Sequence, residues 1–221
     1  MLTQTQDNRL QFLFDIFQRQ PYRLTLEGFD LVILKGTFPP DVGTASVRLS
    51  RLMTRYAICE TALDMGCGSG LLAMAMRRAG IPDVWAVDIH PPAVQCAKVN
   101  VLLNPAFAPI TVLEGNLFSI LPPDKRFDLI CFNHFYYSTE GIDHIFGRTS
   151  DGGSEIIRRF LIQAHEWLAP QGVILMPFSP NLTNGEHDPA QIGSELGWHV
   201  STILDETDSD GRHVISELAS V

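Results

Sequence analysis

The chain has 221 residues, of which 45% are hydrophobic and 19% charged. That is ordinary globular composition, and the length suffices for a large core without disulfide or metal staples. Sixteen Lys and Arg stand against 25 Asp and Glu, a formal net charge of −9, which argues against a protein that grips nucleic acid through a broad basic face.

Residues 7–20 carry Leu10, Leu13, Phe14 and Phe17 at helical spacing, and Pro21 marks the end of this helix. Two β-rich runs, 22–26 and 29–34, flank Glu27-Gly28 in the pattern of a hairpin. Residues 35–43 hold Gly36, Pro39, Pro40 and Gly43 and read as a loop, after which a helix starts near Thr44 or Ser46. From residue 61 the pattern changes. A short apolar run, 61–65, ends in a Gly-rich turn, and a helical stretch follows to Arg78. Further apolar runs occupy 84–88, 110–113, 127–132 and 172–176. Pro91 and Pro92 fit the first turn of an intervening helix, and 154–168 reads as another. This alternation predicts a parallel sheet with helices on both faces. At the tail, 198–204 and 213–219 flank a polar stretch with no helix between them, which reads as a closing antiparallel hairpin. The expected fold is α/β, a Rossmann-like seven-stranded sheet with one reversed strand, preceded by an N-terminal helix and β-hairpin. Residues 1–43 are expected to form a cap and 44–221 a catalytic domain.

No run approaches the 18 or so apolar residues of a membrane span. The first six residues lack the basic and apolar regions of a signal peptide, so a cytoplasmic setting is expected. Cys59, Cys67, Cys96 and Cys131 form no C-x-x-C pair, and Asp143 and His144 have no second ligand pair at a metal spacing. No metal is expected.

The sharpest signal is Leu63-Asp64-Met65-Gly66-Cys67-Gly68-Ser69-Gly70, set between a strand and a helix. Glycines there allow a tight turn and close backbone approach of a ligand. The dinucleotide fingerprint G-x-G-x-x-G would need glycine at Leu71, so the spacing is Asp-x-Gly-x-Gly-x-Gly instead. Asp88 ends the next strand, where an acid accepts hydrogen bonds from ribose hydroxyls; it also suits a helix N-cap before Pro91. After the third strand comes Glu114-Gly115-Asn116-Leu117, where an amide can meet an adenine amino group, although Gly-Asn is also ordinary turn chemistry.

These residues resemble the class I S-adenosylmethionine-dependent methyltransferases over 61–177. The resemblance implies S-adenosyl-L-methionine as cofactor. Its methionyl part would lie on Asp64, Gly66, Gly68 and Gly70, its ribose on Asp88, and its adenine against Ile89, Asn116 and the backbone of Leu117. The N-terminal cap would cover it. A finer resemblance, to the HemK-like or small-domain methyltransferases, is carried by Gly36-Thr37-Phe38-Pro39-Pro40, by the strand ending at Asn133, by Asp151-Gly152-Gly153 and by Gly211-Arg212-His213-Val214-Ile215. That group modifies planar nitrogens of glutamine, guanine or adenine.

Where the group carries Asn-Pro-Pro-Tyr, this chain has Asn133-His134-Phe135-Tyr136-Tyr137. Loss of both prolines alters the loop backbone. With the acidic charge it turns the expectation from nucleic acid toward a small molecule or a protein side-chain nitrogen. Asn133, Tyr136 and His134 are the expected catalytic residues, with His134 the nearest general base and Asn133 also touching the cofactor. A solvated loop histidine is the plainer reading of His134. The alternative reaction class is intramolecular cyclisation of the cofactor to azetidine-2-carboxylate and methylthioadenosine, inside an aromatic cage of Phe38, Phe135, Tyr136 and Tyr137.

Overall fold

The computed structural model describes residues 17–42, 44–134, 153–183 and 187–220, together with residues 11 and 15. Strands β1 (Tyr22–Leu26) and β2 (Phe29–Ile33) pair antiparallel as a separate hairpin. The chain continues through α1 (Ala45–Leu52), β3 (Thr61–Met65), α2 (Leu71–Arg78), β4 (Asp83–Asp88), α3 (Pro91–Leu103), β5 (Thr111–Glu114) and β6 (Phe127–Phe132). It closes with α4 (Ser154–Ala164), β7 (Leu168–Phe178), the short α5 (Pro180–Thr183), α6 (Pro189–Glu195), β8 (His199–Asp208) and β9 (Gly211–Ala219). The main sheet has the order β5-β4-β3-β6-β7-β9-β8, and β9 alone runs against the rest. This is the expected architecture.

The sheet is buried on both faces, which is why its inner strands read as unbroken apolar runs. Along β6, Leu129 and Cys131 point into the layer shared with Leu49, Leu72 and Met76. Ile130 and Phe132 point into the opposite layer with Ile157, Phe160 and Trp198. In that second layer Phe118 stacks between Phe160 and Trp167, each with a ring centroid 5.5 Å away. Fully burying one such ring contributes roughly 1.5–3 kcal/mol. On the first face, Arg48 of α1 pairs with Glu206 and Asp208, and the Tyr56 hydroxyl donates to Glu217 at 2.6 Å. Helix α1 is thereby fastened to the closing hairpin.

Several elements depart from the sequence reading; the closing strands, for one, run on to Asp208 and start at Gly211, inside the stretch read as a polar connection. The helix expected over 154–168 stops at Ala164, because Trp167 turns back to donate to the Ala164 carbonyl and then accepts the Phe127 N–H at 2.9 Å, entering the sheet. Strand β7 consequently starts at Leu168 rather than Gly172, and absorbs an irregularity at Gln171, whose φ is +67°. Helix α6 was not foreseen, although Asp188-Pro189 marks its start and the Asp188 carboxylate accepts the Ala190 N–H at 2.8 Å. The helix expected over 7–20 falls largely outside the described residues, of which Phe17 is buried. Among the described residues no helix is long and apolar enough to cross a membrane.

Candidate active site

Strand β3 lies at the switch point of the sheet: the chain leaves it toward β4 on one side and returns through β6 on the other. Ligands of open α/β sheets bind outside the carboxyl ends of the strands at such a point. The turn that follows β3 has φ of +68° at Gly66, +52° at Gly68 and +80° at Gly70. The Gly66 and Cys67 N–H groups donate to the Val87 carbonyl at 2.8 and 3.1 Å, and Gly70 N–H closes on the Cys67 carbonyl at 2.7 Å. A methyl group at Gly70 would sit 3.2 Å from the Ala97 backbone, so this glycine lets α2 start against α3. A methyl at Gly68 would meet nothing within 4 Å, so the turn opens outward there.

Asp64 is 1% exposed, and its carboxylate accepts the Ala73 N–H at 3.1 Å. Burial pushes its pKa up to about 8, against the pull of the Ala73 bond and with the Asp88 charge adding to the rise. Asp64 therefore braces the turn from inside. Asp88, at the end of β4, accepts from Gly68 N–H through one oxygen and from His90 N–H through the other, both at 2.9 Å. Burial raises its pKa, and the Gly68 and His90 bonds oppose the rise. Asp88 is not the N-cap of α3: His90 holds that position without a side-chain cap bond, and Asp88 fastens the His90 N–H instead. Next to it Ile89 is 46% exposed, a large apolar side chain held open beside the turn.

The third strand's turn docks on the second. Gly115 N–H donates to the Asp88 carbonyl at 3.0 Å. A methyl at Gly115 would fall 2.5 Å from Ile120, which requires glycine there. Asn116 is exposed and lies 3.5 Å from the Arg159 guanidinium. Leu117 is buried with φ +51°, a costly backbone for a non-glycine residue. A cleft of about 580 Å3 between this turn and α4 shares only Asn116 with the predicted residues.

The β3–β6 register sets Phe132 beside Met65, which brings Asn133 to the level of the Gly-rich turn. The Asn133 amide donates to Ser46 Oγ at 2.8 Å, leaving its carbonyl oxygen as an acceptor. His134 is 3% exposed, with its ring centroid 5.6 Å from that of Phe132. Burial drives its pKa down to about 3, opposed by a backbone bond at Phe132 and helped by the nearby His187. The general-base expectation for His134 does not fit this environment, nor does a solvated loop residue. The ring is buried and neutral at physiological pH. Tyr136, with Phe135 and Tyr137, lies outside the described residues, as do Asp143 and His144.

The carboxyl edge thus gathers Asp64, Gly66, Gly68, Gly70, Asp88, Ile89, Asn116, Leu117 and Asn133 along three neighbouring turns and the end of β6. Sequence reasoning missed two residues tied to them. Ser46 was seen only as a helix start, and Asn100, fully buried, donates to the Ser69 carbonyl at 2.9 Å. The signal for Asn100 was a second asparagine four residues on, at Asn104, one turn further along the same side of the chain.

Residues 41–153 match the ribosomal protein L11 methyltransferase (PrmA) family. The chain belongs to that family. It is a methyltransferase, and S-adenosylmethionine is its cofactor. A protein of Methanocaldococcus jannaschii named as a protein N5-glutamine methyltransferase is 36% identical over 62% of this chain and 70% of its own length. The release factor glutamine methyltransferase of Rhodopirellula baltica is 35% identical over 54% of this chain and 45% of its own. This methyltransferase therefore spans less than half of that second relative. In fold it resembles the 16S rRNA N2 G1207 methyltransferase of T. thermophilus, with a TM-score of 0.68 at 19% identity over 90% of this chain and 50% of that one. It also resembles the ribosomal protein L11 methylase of Lactobacillus delbrueckii, with a TM-score of 0.59 at 21% identity over 83% and 81%.

Proposed function

We propose that this methyltransferase methylates a protein side-chain nitrogen, with the amide of glutamine as the acceptor class. The observation that carries the reading is the pair Asn133 and His134 at the end of β6. Asn133 offers a fixed carbonyl oxygen to an acceptor N–H, and His134 is held too far below its usual pKa to collect a proton. An amine acceptor is protonated at neutral pH and needs a base before it can react. An amide is neutral, and after methylation it is acidic enough to release its proton to water. The neutral, buried His134 therefore suits an amide better than an amine. The names of the two relatives above favour the protein arm of the sequence expectation over the small-molecule arm.

In this reading Gly66, Gly68 and Gly70 hold the methionyl part of S-adenosylmethionine, Asp88 the ribose, and Ile89, Asn116 and Leu117 the adenine. The open side of the turn at Gly68 and the exposed Ile89 side chain fit a ligand of this shape. Residues 1–43 serve as the cap. When bound, the cofactor supplies an electrophilic methyl group on a sulfonium. The protein's own work is positioning: Asn133 orients the acceptor nitrogen in line, and the buried layer beneath excludes water.

The test is mass spectrometry of purified protein with S-adenosylmethionine and short peptides that carry either glutamine or lysine. A single methyl on glutamine, lost in Asn133→Ala, is the expected result. Methyl transfer to lysine alone would overturn the amide assignment. Enzyme-dependent formation of methylthioadenosine together with azetidine-2-carboxylate, without any peptide, would instead establish the cyclisation reaction.

A further inference from the structure

Among the described residues, strand β2 has β1 on one side and no strand on the other. An edge of this kind leaves backbone groups unpaired. Helix α3 and its C-cap residue supply the partners, from three side chains spaced one turn apart. Asn104 accepts the Asp30 N–H at 3.1 Å and donates to the Asp30 carbonyl at 2.8 Å. Asn100 accepts the Val32 N–H at 2.8 Å, and the Cys96 thiol meets the Val32 carbonyl at 3.2 Å. The repeats match, since four helical residues rise about 6 Å and two strand residues about 6.7 Å.

Asn100 reaches further than its neighbours. Its Nδ2 donates at 2.9 Å to the carbonyl of Ser69, the residue between Gly68 and Gly70. One carboxamide, 0% exposed, joins the N-terminal hairpin to the Gly-rich turn. Its orientation is dictated by its partners: the Val32 N–H can only donate and the Ser69 carbonyl can only accept, so a flipped amide would break both bonds. The Ser69 carbonyl shares a rigid peptide plane with the Gly70 N–H. Holding one sets the other, and Gly70 N–H is the group that closes the turn on Cys67.

We propose that Asn100 is a positioning residue for the methionyl end of the cofactor. It fixes the Ser69 peptide, and with it the left-handed glycines on either side, and makes the seating of the hairpin part of cofactor binding. The proposal rests on the reading above that the turn at 64–70 holds the methionyl part.

The experiment is calorimetry on the full chain with two ligands. S-adenosylhomocysteine carries the amino-acid end, and 5′-methylthioadenosine lacks its carboxylate and amine. Asn100→Asp keeps the size and the acceptor for Val32 but sets an oxygen against the Ser69 carbonyl. It is expected to lose about tenfold or more in affinity for S-adenosylhomocysteine and less than about threefold for methylthioadenosine. Asn104→Ala loosens the same hairpin without touching the turn, and is expected to keep the parent's ratio of the two affinities. Asn100→Ala removes the donor without adding charge, and the ratio is read from it should Asn100→Asp not fold. Equal losses for both ligands are what a merely structural asparagine gives, and they overturn the proposal, as does an unchanged ratio. A parent protein that binds the two ligands equally well overturns the underlying reading of the turn, and the proposal with it.

Discussion

The Asp88 carboxylate accepts the Gly68 N–H at 2.9 Å, across the two turns that end β3 and β4. Its second oxygen is bonded to the His90 N–H, so both oxygens already hold backbone. Each still has lone pairs for a hydroxyl. Asp88 is therefore a strut of the turn, and the proposed function makes it also the acid offered to a ribose. Asp88→Ala is expected to weaken S-adenosylmethionine binding by about tenfold or more, measured by calorimetry. Unchanged affinity would remove the ribose assignment.

The proposed function puts Asn133 where an acceptor would meet the cofactor, and its amide is held by Ser46 from α1. Asn133→Ala is expected to lower turnover of a glutamine peptide by about a hundredfold or more while changing cofactor affinity by less than about threefold. Ser46→Ala, which frees the amide to rotate but leaves it in place, should fall between mutant and parent in turnover. Parent-like turnover in Asn133→Ala would end its role at the acceptor.

The parts legible in the sequence were those whose chemistry is local. The turn 64–70 announces itself because its three glycines occupy positive φ within five residues, and Asp88 because it ends an apolar run before two prolines. Pairings over long separations left no such mark. Asn133 meets Ser46 across 87 residues, and Asn100 reaches Val32 across 68 and Ser69 across 31. His134 was misread for the same reason. Nothing beside it in the chain announces burial, which comes from the layer holding Phe132 and Phe160. That burial turns a nominal base into a neutral ring. The limits of α4 and β7 slipped because apolar residues keep recurring at helical spacing from 156 to 168, and only the Trp167–Phe127 bond decides where helix gives way to strand.

Gly70 carries two constraints at once, a φ of +80° and a 3.2 Å approach to the Ala97 backbone. Gly70→Ala meets both the left-handed strain and a neighbour that is main chain and cannot swing aside. A loss of about 1–3 kcal/mol in unfolding free energy is expected from denaturant titration. Gly68→Ala is the comparison, because its added methyl meets no protein atom. It should cost about 1 kcal/mol from backbone strain alone, while hindering the cofactor. Equal stability losses for the two variants would show that the α2–α3 contact does not demand glycine.

Asp64 and His134 pull the pH dependence of stability in opposite directions. Folded Asp64 keeps its proton up to about pH 8, whereas an unfolded aspartate loses it near about 3.9. Between those values the folded state binds the extra proton, so Asp64 makes stability fall as pH rises, and the fall ends above about pH 8. Folded His134 stays unprotonated down to about pH 3, while an unfolded histidine takes up a proton below about 6.5, so His134 makes stability rise with pH across that lower window. The two slopes oppose each other between about 4 and 6.5, and above about 6.5 only Asp64 of the two still changes charge. Denaturant titration of the cofactor-free protein from about pH 6.5 to about pH 8 should therefore show a decline on the order of 1 kcal/mol per pH unit. Asp64→Asn keeps an oxygen for the Ala73 N–H and carries no proton to lose, so the decline should vanish in that variant. A decline of the same slope in both proteins would place its source elsewhere and leave Asp64 ionised inside the fold.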